Sequence, residues 1–127
     1  MSLIAGTIYF TRGDQTFFLV TDQPASKFFT VRMHRHKNDT ALGALLTGIR
    51  NELGIDPETL RLGELGAWHT QGLSVQDDLI SLYTLELLDE STLNLERLSN
   101  LGMSFASAGS LSKLITKVDV TGVARLE

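Results

Sequence analysis

Arg32, His34, Arg35, His36 and Lys37 put five cationic or titratable side chains within six positions of a chain whose formal charge is −4. Residues of this kind hold anions, and phosphate is the obvious one. In an extended segment, Arg32, His34 and His36 share one side and Arg35 and Lys37 the other. A helix that starts directly afterwards adds its free N–H groups to the same anion site. The structural alternative is an exposed basic loop lying beside Asp39. His34 and His36, two positions apart, could also bind a transition metal from one strand face, with His69 arriving from another strand. Glu52 and Asp39 are carboxylates of the type that Mg²⁺ requires. Without a metal, Glu52 is a solvated residue near a helix end, where the helix dipole mildly disfavours it. Trp68 and His69, with Tyr83, could line a base-stacking pocket, although strand aromatics more often build core.

These residues depend on the elements around them. Asp39–Ile55, DTALGALLTGIRNELGI, predicts one amphipathic helix, because Leu42, Leu45, Leu46, Ile49 and Leu53 recur in steps of three and four. Asn38 or Asp39 can cap its start. Gly54 can take the left-handed conformation just past its end, with Ile55 folding back onto the last turn, and Asp56-Pro57 blocks continuation. Upstream, Leu3–Thr11 and Gln15–Thr21 predict a hairpin turning at Arg12-Gly13-Asp14, and Lys27–Met33 predicts a third strand. Downstream, Leu60–Thr70 and Asp77–Leu88 predict strands, the second with imperfect alternation that suits burial on both faces. Ser91–Leu101 is a short helix or a loop. Ser107–Lys117 predicts a second helix, capped by Ser107 or Ser110, and Val118–Leu126 a last strand. Short strands and hairpins interspersed with helices imply a mixed sheet covered by helices.

The bulk composition bounds the function. A chain of 127 residues, 43% hydrophobic and 20% charged, fits a single domain spanning residues 1–127. A mildly acidic domain lacks the basic field that sequence-independent nucleic-acid binding needs, so no DNA or RNA partner is expected. The absence of cysteine removes disulfides, thiol nucleophiles and thiolate metal sites. MSLIAGTIYF has no basic n-region, and no apolar run approaches the ~18 residues of a membrane span. A cytoplasmic domain without membrane contact is the expectation. No Gly-x-Ser-x-Gly elbow and no Gly-rich phosphate loop occurs.

The predicted helix and its approach resemble the signature of the Nudix family. That box reads Gly, five residues, Glu, seven residues, then Arg-Glu-U-x-Glu-Glu-x-Gly-U, with U a bulky aliphatic. Laid on Met33–Ile55 without a gap, four of its nine fixed positions match: Ile49, Glu52, Gly54 and Ile55. Asp39 stands for the first Glu. The leading Gly is Met33, the Arg-Glu pair is Thr47-Gly48, and the first member of the Glu-Glu pair is Asn51. The order of elements resembles the family over nearly the whole chain. SFASAGSLSKLI is similar to the family's aromatic strand followed by a Leu-rich helix.

The resemblance implies a Nudix-like α/β/α sandwich, an α+β or α/β fold with a mixed, curved sheet. It also implies the family's metal chemistry. In active members, box carboxylates hold Mg²⁺ or Mn²⁺, which bridge a diphosphate and activate a water. Here Glu52 alone remains of three key carboxylates. The reading is therefore a degraded box, non-catalytic, on a domain that binds a nucleotide or another phosphorylated small molecule. Arg32, His34, His36, Lys37 and Trp68 are its candidate ligand contacts. The alternative is a divergent metal-dependent hydrolase of nucleoside diphosphate derivatives. It would use Glu52 as catalytic residue and metal ligand, with Asp39 as a second metal ligand, and carboxylates outside the box such as Glu64, Asp77 or Glu86. A third reading is a structural module whose sheet edges pair in a homodimer.

Overall fold

The structure is a computed structural model, and it describes residues 2–21, 27–33, 40–69, 79–111, 114 and 118–120. Strand β1 (Ser2–Arg12) is eleven residues long and organises the sheet. Its C-terminal half pairs antiparallel with β2 (Gln15–Thr21), Tyr9 opposite Phe18. Its N-terminal half pairs antiparallel with β3 (Phe29–Met33), Gly6 opposite Phe29. Its other edge runs parallel to β5 (Leu79–Leu87), Ile4 opposite Ser81. Strand β4 (Leu60–His69) joins β5, β6 (Met103–Ser107) joins β2, and β7 (Val118–Val120) joins β4. The resulting mixed sheet has the order β6-β2-β1-β5-β4-β7, with β3 on β1.

Alternation along the strands splits the interior into two cores. On one face, Ile4, Ile8, Leu19, Val31, Leu85 and Leu87 pack against Leu45, Ile49, Leu53 and Ile55 of the helix that follows β3, and against Leu98. On the other, Ala5, Val20, Phe28, Trp68, Ile80 and Leu82 pack against Leu111 and Leu114. Thr7 is the buried polar residue of β1, and its hydroxyl donates to the Leu19 carbonyl at 2.9 Å.

The predicted Asp39–Ile55 helix is shorter and has two parts. Helix α1 spans Ala41–Gly48, and a π-helical segment, Ile49–Leu53, continues it. The cap is Thr40, whose hydroxyl accepts the Gly43 N–H at 3.0 Å. Asn38 and Asp39, the caps expected from sequence, lie outside the described residues. The stop is as predicted. Gly54 adopts φ 71°, and the Ile55 N–H reaches back to the Ile49 carbonyl while its side chain enters the core. Ser91–Leu101, open between helix and loop, is entered through a 3₁₀ turn at Glu90–Thr92 and contains helix α2 (Leu95–Asn100) capped by Asn94. Of the predicted Ser107–Lys117 helix, Ser107 itself ends β6 and a 3₁₀ turn follows at Gly109–Leu111.

Candidate functional site

The box helix sits close to the sheet at Gly48. A Cβ built on Gly48 would stand 2.5 Å from Val31 Cγ1, 3.4 Å from Glu52 Oε2 and 3.6 Å from Phe29 Cζ. Val31 is buried and β-branched, so its side chain has little rotameric freedom to withdraw. The position where the resemblance places a box glutamate is thus filled by β3, with no room for any side chain. One turn earlier Leu45 lies directly over Gly6 of β1, at 2.7 Å from where a Cβ would be. The two glycines together let the helix settle onto β1 and β3.

Glu52 is exposed on the π-helical segment, and its carboxylate folds back beside Gly48. Asn51 and Thr47 are also exposed. Among the described residues, no group of three or more His, Asp or Glu is placed to hold a metal. Glu64 and Glu86, named as carboxylates from outside the box, stand on the sheet face away from the helix and do not join Glu52. Glu86 pairs with Arg61, and Glu64 lines a cavity with Thr7, Tyr9 and Leu82. The side chains present among the described residues therefore do not fit a divalent metal at Glu52, which would need several hard oxygen ligands around one point.

The end of the box is held by a residue that sequence reading missed. Arg97 of α2 donates from Nη2 to the Asn51 carbonyl at 2.9 Å and to the Glu52 carbonyl at 3.2 Å. Its guanidinium lies over Gly54, where a Cβ would meet Nη1 at 2.9 Å. A cation on the last free carbonyls of a helix satisfies them and complements the dipole. The contact spans 46 and 45 residues of sequence, so no local pattern announces it.

The other predicted site residues are spread. Arg32 is exposed on β3, and alternation turns it to the face opposite Val31, away from the box helix. His34, His36, Lys37 and Asp39, with Arg35 and Asp77, lie outside the described residues. Trp68 is 1% exposed in the second core, edge-on to Phe28 at 5.1 Å, and its indole N–H has no hydrogen-bond partner among the described residues. Tyr83 is half-buried against the first core, so the two rings are on opposite faces of the sheet. His69 is the last residue of β4, its backbone opposite Leu79.

On the face that carries the box helix, a cavity of about 640 Å³ runs along α2. Phe10, Phe17, Phe105, Leu95 and Met103 line it. Phe10 stacks on Phe17 at 5.4 Å, and the Arg12 guanidinium covers Phe10 while pairing with Glu90 at the rim. None of the candidate site residues named from sequence lines this cavity.

No family model matches the chain, and no curated protein matches it. Solved structures do. The chain is similar to the Ap4A hydrolase of C. elegans, with TM-score 0.62 and 13% identity, over 91% of this chain and 86% of that one. It is also similar to NrtR of Shewanella oneidensis crystallised with a 27mer DNA, with TM-score 0.58 and 5% identity, over 89% of this chain and 53% of that one. At such identities the likeness establishes the fold, a Nudix-like α/β/α sandwich with a mixed sheet flanked by helices. No helix among the described residues is long and apolar enough to cross a membrane.

Proposed function

We propose that this domain is a non-catalytic Nudix-like module that binds a nucleotide or another phosphorylated small molecule. The observation that carries the reading is the packing at Gly48. Losing a carboxylate by one substitution is easily reversed. Here the space for the side chain is taken by Val31, so the helix has closed over the missing ligand. Glu52 is exposed and belongs to no group of three or more His, Asp or Glu among the described residues that could hold a metal. Anion recognition falls instead to the cations just ahead of α1, His34, His36 and Lys37, together with the free N–H groups at its start, while Arg32 faces the other side of the sheet. The fold similarity to an Ap4A hydrolase agrees with a nucleotide ligand. The aromatic cavity along α2, on the same face as the box helix, supplies a surface on which a base can stack. The DNA in the NrtR crystal is not carried over, because the chain spans about half of that protein and its formal charge is −4.

Calorimetric titration with ADP, in Mg²⁺ and again in EDTA, tests the reading. Binding is expected with the same affinity in both. His34→Ala with Lys37→Ala should weaken it by about tenfold, the loss of one or two charge-assisted contacts. Arg12→Ala should leave it unchanged, and a loss there instead would move the phosphate to the α2 cavity. Absence of binding in both buffers overturns the proposal. So does metal-dependent hydrolysis of nucleoside diphosphate compounds that disappears in Glu52→Gln, which would establish the divergent hydrolase.

A further inference from the structure

The sheet face turned away from the box helix holds a second cavity, of about 310 Å³, at the lower end of the size range of small-molecule sites. Its walls are Tyr9, Phe18 and Phe28, with Leu82 and Val118, and the threonines Thr7, Thr16 and Thr84 complete it. Tyr9 and Phe18, cross-strand partners on β1 and β2, sit 5.9 Å apart with their rings tilted by 39°, and both line the cavity. Among the described lining residues Glu64 carries the one formal charge, and no Lys, Arg or His lines the cavity.

Glu64 is placed there by a feature of β4. Leu62 pairs with Leu85 and Leu65 with Tyr83, so Gly63 and Glu64 together face Thr84, which makes a β-bulge. The Thr84 hydroxyl accepts the Glu64 N–H at 2.7 Å and donates to the Glu64 carbonyl at 3.0 Å. Gly63 leaves the room this needs, since a Cβ there would stand 2.8 Å from Thr84 Oγ1 and 3.2 Å from the Tyr9 hydroxyl. The backbone of the cavity's acid is therefore pinned, although its side chain is exposed. Burial, then Glu86 and Glu64, push the Tyr9 phenol above its ordinary value, against a smaller opposite effect of Arg61. The ring thus lies in a field that disfavours a further negative charge.

We propose that this cavity is a binding site for a small organic ammonium cation, held between the π-faces of Tyr9, Phe18 and Phe28 and neutralised by Glu64. Aromatic faces attract an alkylated ammonium through their quadrupole. The alkyl groups satisfy the apolar walls, and the carboxylate on the bulge supplies the counter-charge. An anionic ligand meets no Lys, Arg or His among the described lining residues, and Glu64 opposes it.

The experiment is an NMR titration of the intact chain with choline and tetramethylammonium, following the Tyr9 and Phe18 ring resonances. The neutral isostere of choline, 3,3-dimethyl-1-butanol, serves as control. Both cations are expected to shift these resonances saturably, with the alcohol about tenfold weaker or worse. Glu64→Gln, on the exposed bulge, should weaken choline at least about fivefold and leave the alcohol unaffected. Tyr9→Phe keeps the ring and should retain binding. The assignment is overturned if neither cation shifts the rings, if the alcohol binds as well as choline, or if Glu64→Gln binds choline with unchanged affinity.

Discussion

Tyr9 and Glu52 are both polar residues at the edge of a packed core, and their surroundings treat them differently. Glu52 is exposed, with its carboxylate folded back beside Gly48, and belongs to no group of three or more His, Asp or Glu among the described residues. Tyr9 lies among Glu64, Glu86 and Arg61 and is half-buried, and its phenol is held above the ordinary value of 10.0. The consequence for stability has a definite sign. The folded state keeps the phenolic proton more tightly than the unfolded chain, so this contribution is fully present below pH 10 and is lost as the pH rises through the higher folded value. Alkaline unfolding followed by circular dichroism is expected to show a loss of stability above pH 10 that Tyr9→Phe reduces. A pH profile unchanged by the substitution would contradict the placement of that phenol among carboxylates. Nothing of this was legible in the sequence, where Tyr9 read only as a strand aromatic.

The box helix shows where local pattern succeeds and where it stops. The apolar steps from Leu45 to Leu53 correctly marked the buried stripe, and Gly54 correctly marked the end. The π-helical turn at Ile49–Leu53 was not legible, because the periods of an α- and a π-turn differ too little over five residues. The meaning of Gly48 also escaped. In sequence it is a poor helix residue, about 1 kcal/mol worse than Ala. In the structure it is the contact with β3. Gly48→Ala should therefore fail to stabilise the chain. Overpacking against Val31 costs about 1–3 kcal/mol, which exceeds the propensity gain, so a net loss of about 1 kcal/mol is expected in urea denaturation. In a Val31→Ala background the same change should become neutral or favourable, a coupling of about 1–2 kcal/mol in a double-mutant cycle. Additive effects would mean that the helix does not press on Val31. The same contact makes Gly48→Glu a poor way of restoring the box.

Across the whole molecule, β1 is the element on which both cores depend. It pairs along both edges and carries Ile4 and Ile8 to one face and Ala5 and Thr7 to the other. Strand β5, with partners on both sides, is its neighbour in this role. Amide hydrogen exchange should follow that order. Protection is expected to be greatest for Ile4–Ile8 of β1 and Leu82–Leu85 of β5, and at least about tenfold lower for β7, which pairs through three residues with β4. Equal protection across the sheet would show that it opens as one unit. The surface ion pairs Arg12–Glu90 and Arg61–Glu86 are largely exposed and contribute little to this hierarchy.

Strand alternation, the helical stripe, the Gly54 stop and the missing box carboxylates are properties of neighbouring residues, and the sequence by itself determined them. Periodicity states which side of an element is apolar and where the chain must turn. It does not state what covers that side. The division of β1 between β2 and β3, the closure of Val31 over Gly48, the hold of Arg97 on the box carbonyls and the bulge that aims Glu64 into an aromatic cavity were decided only in the tertiary structure. Each is a contact between residues far apart in the chain, so its energy depends on distances that no local run of residues contains.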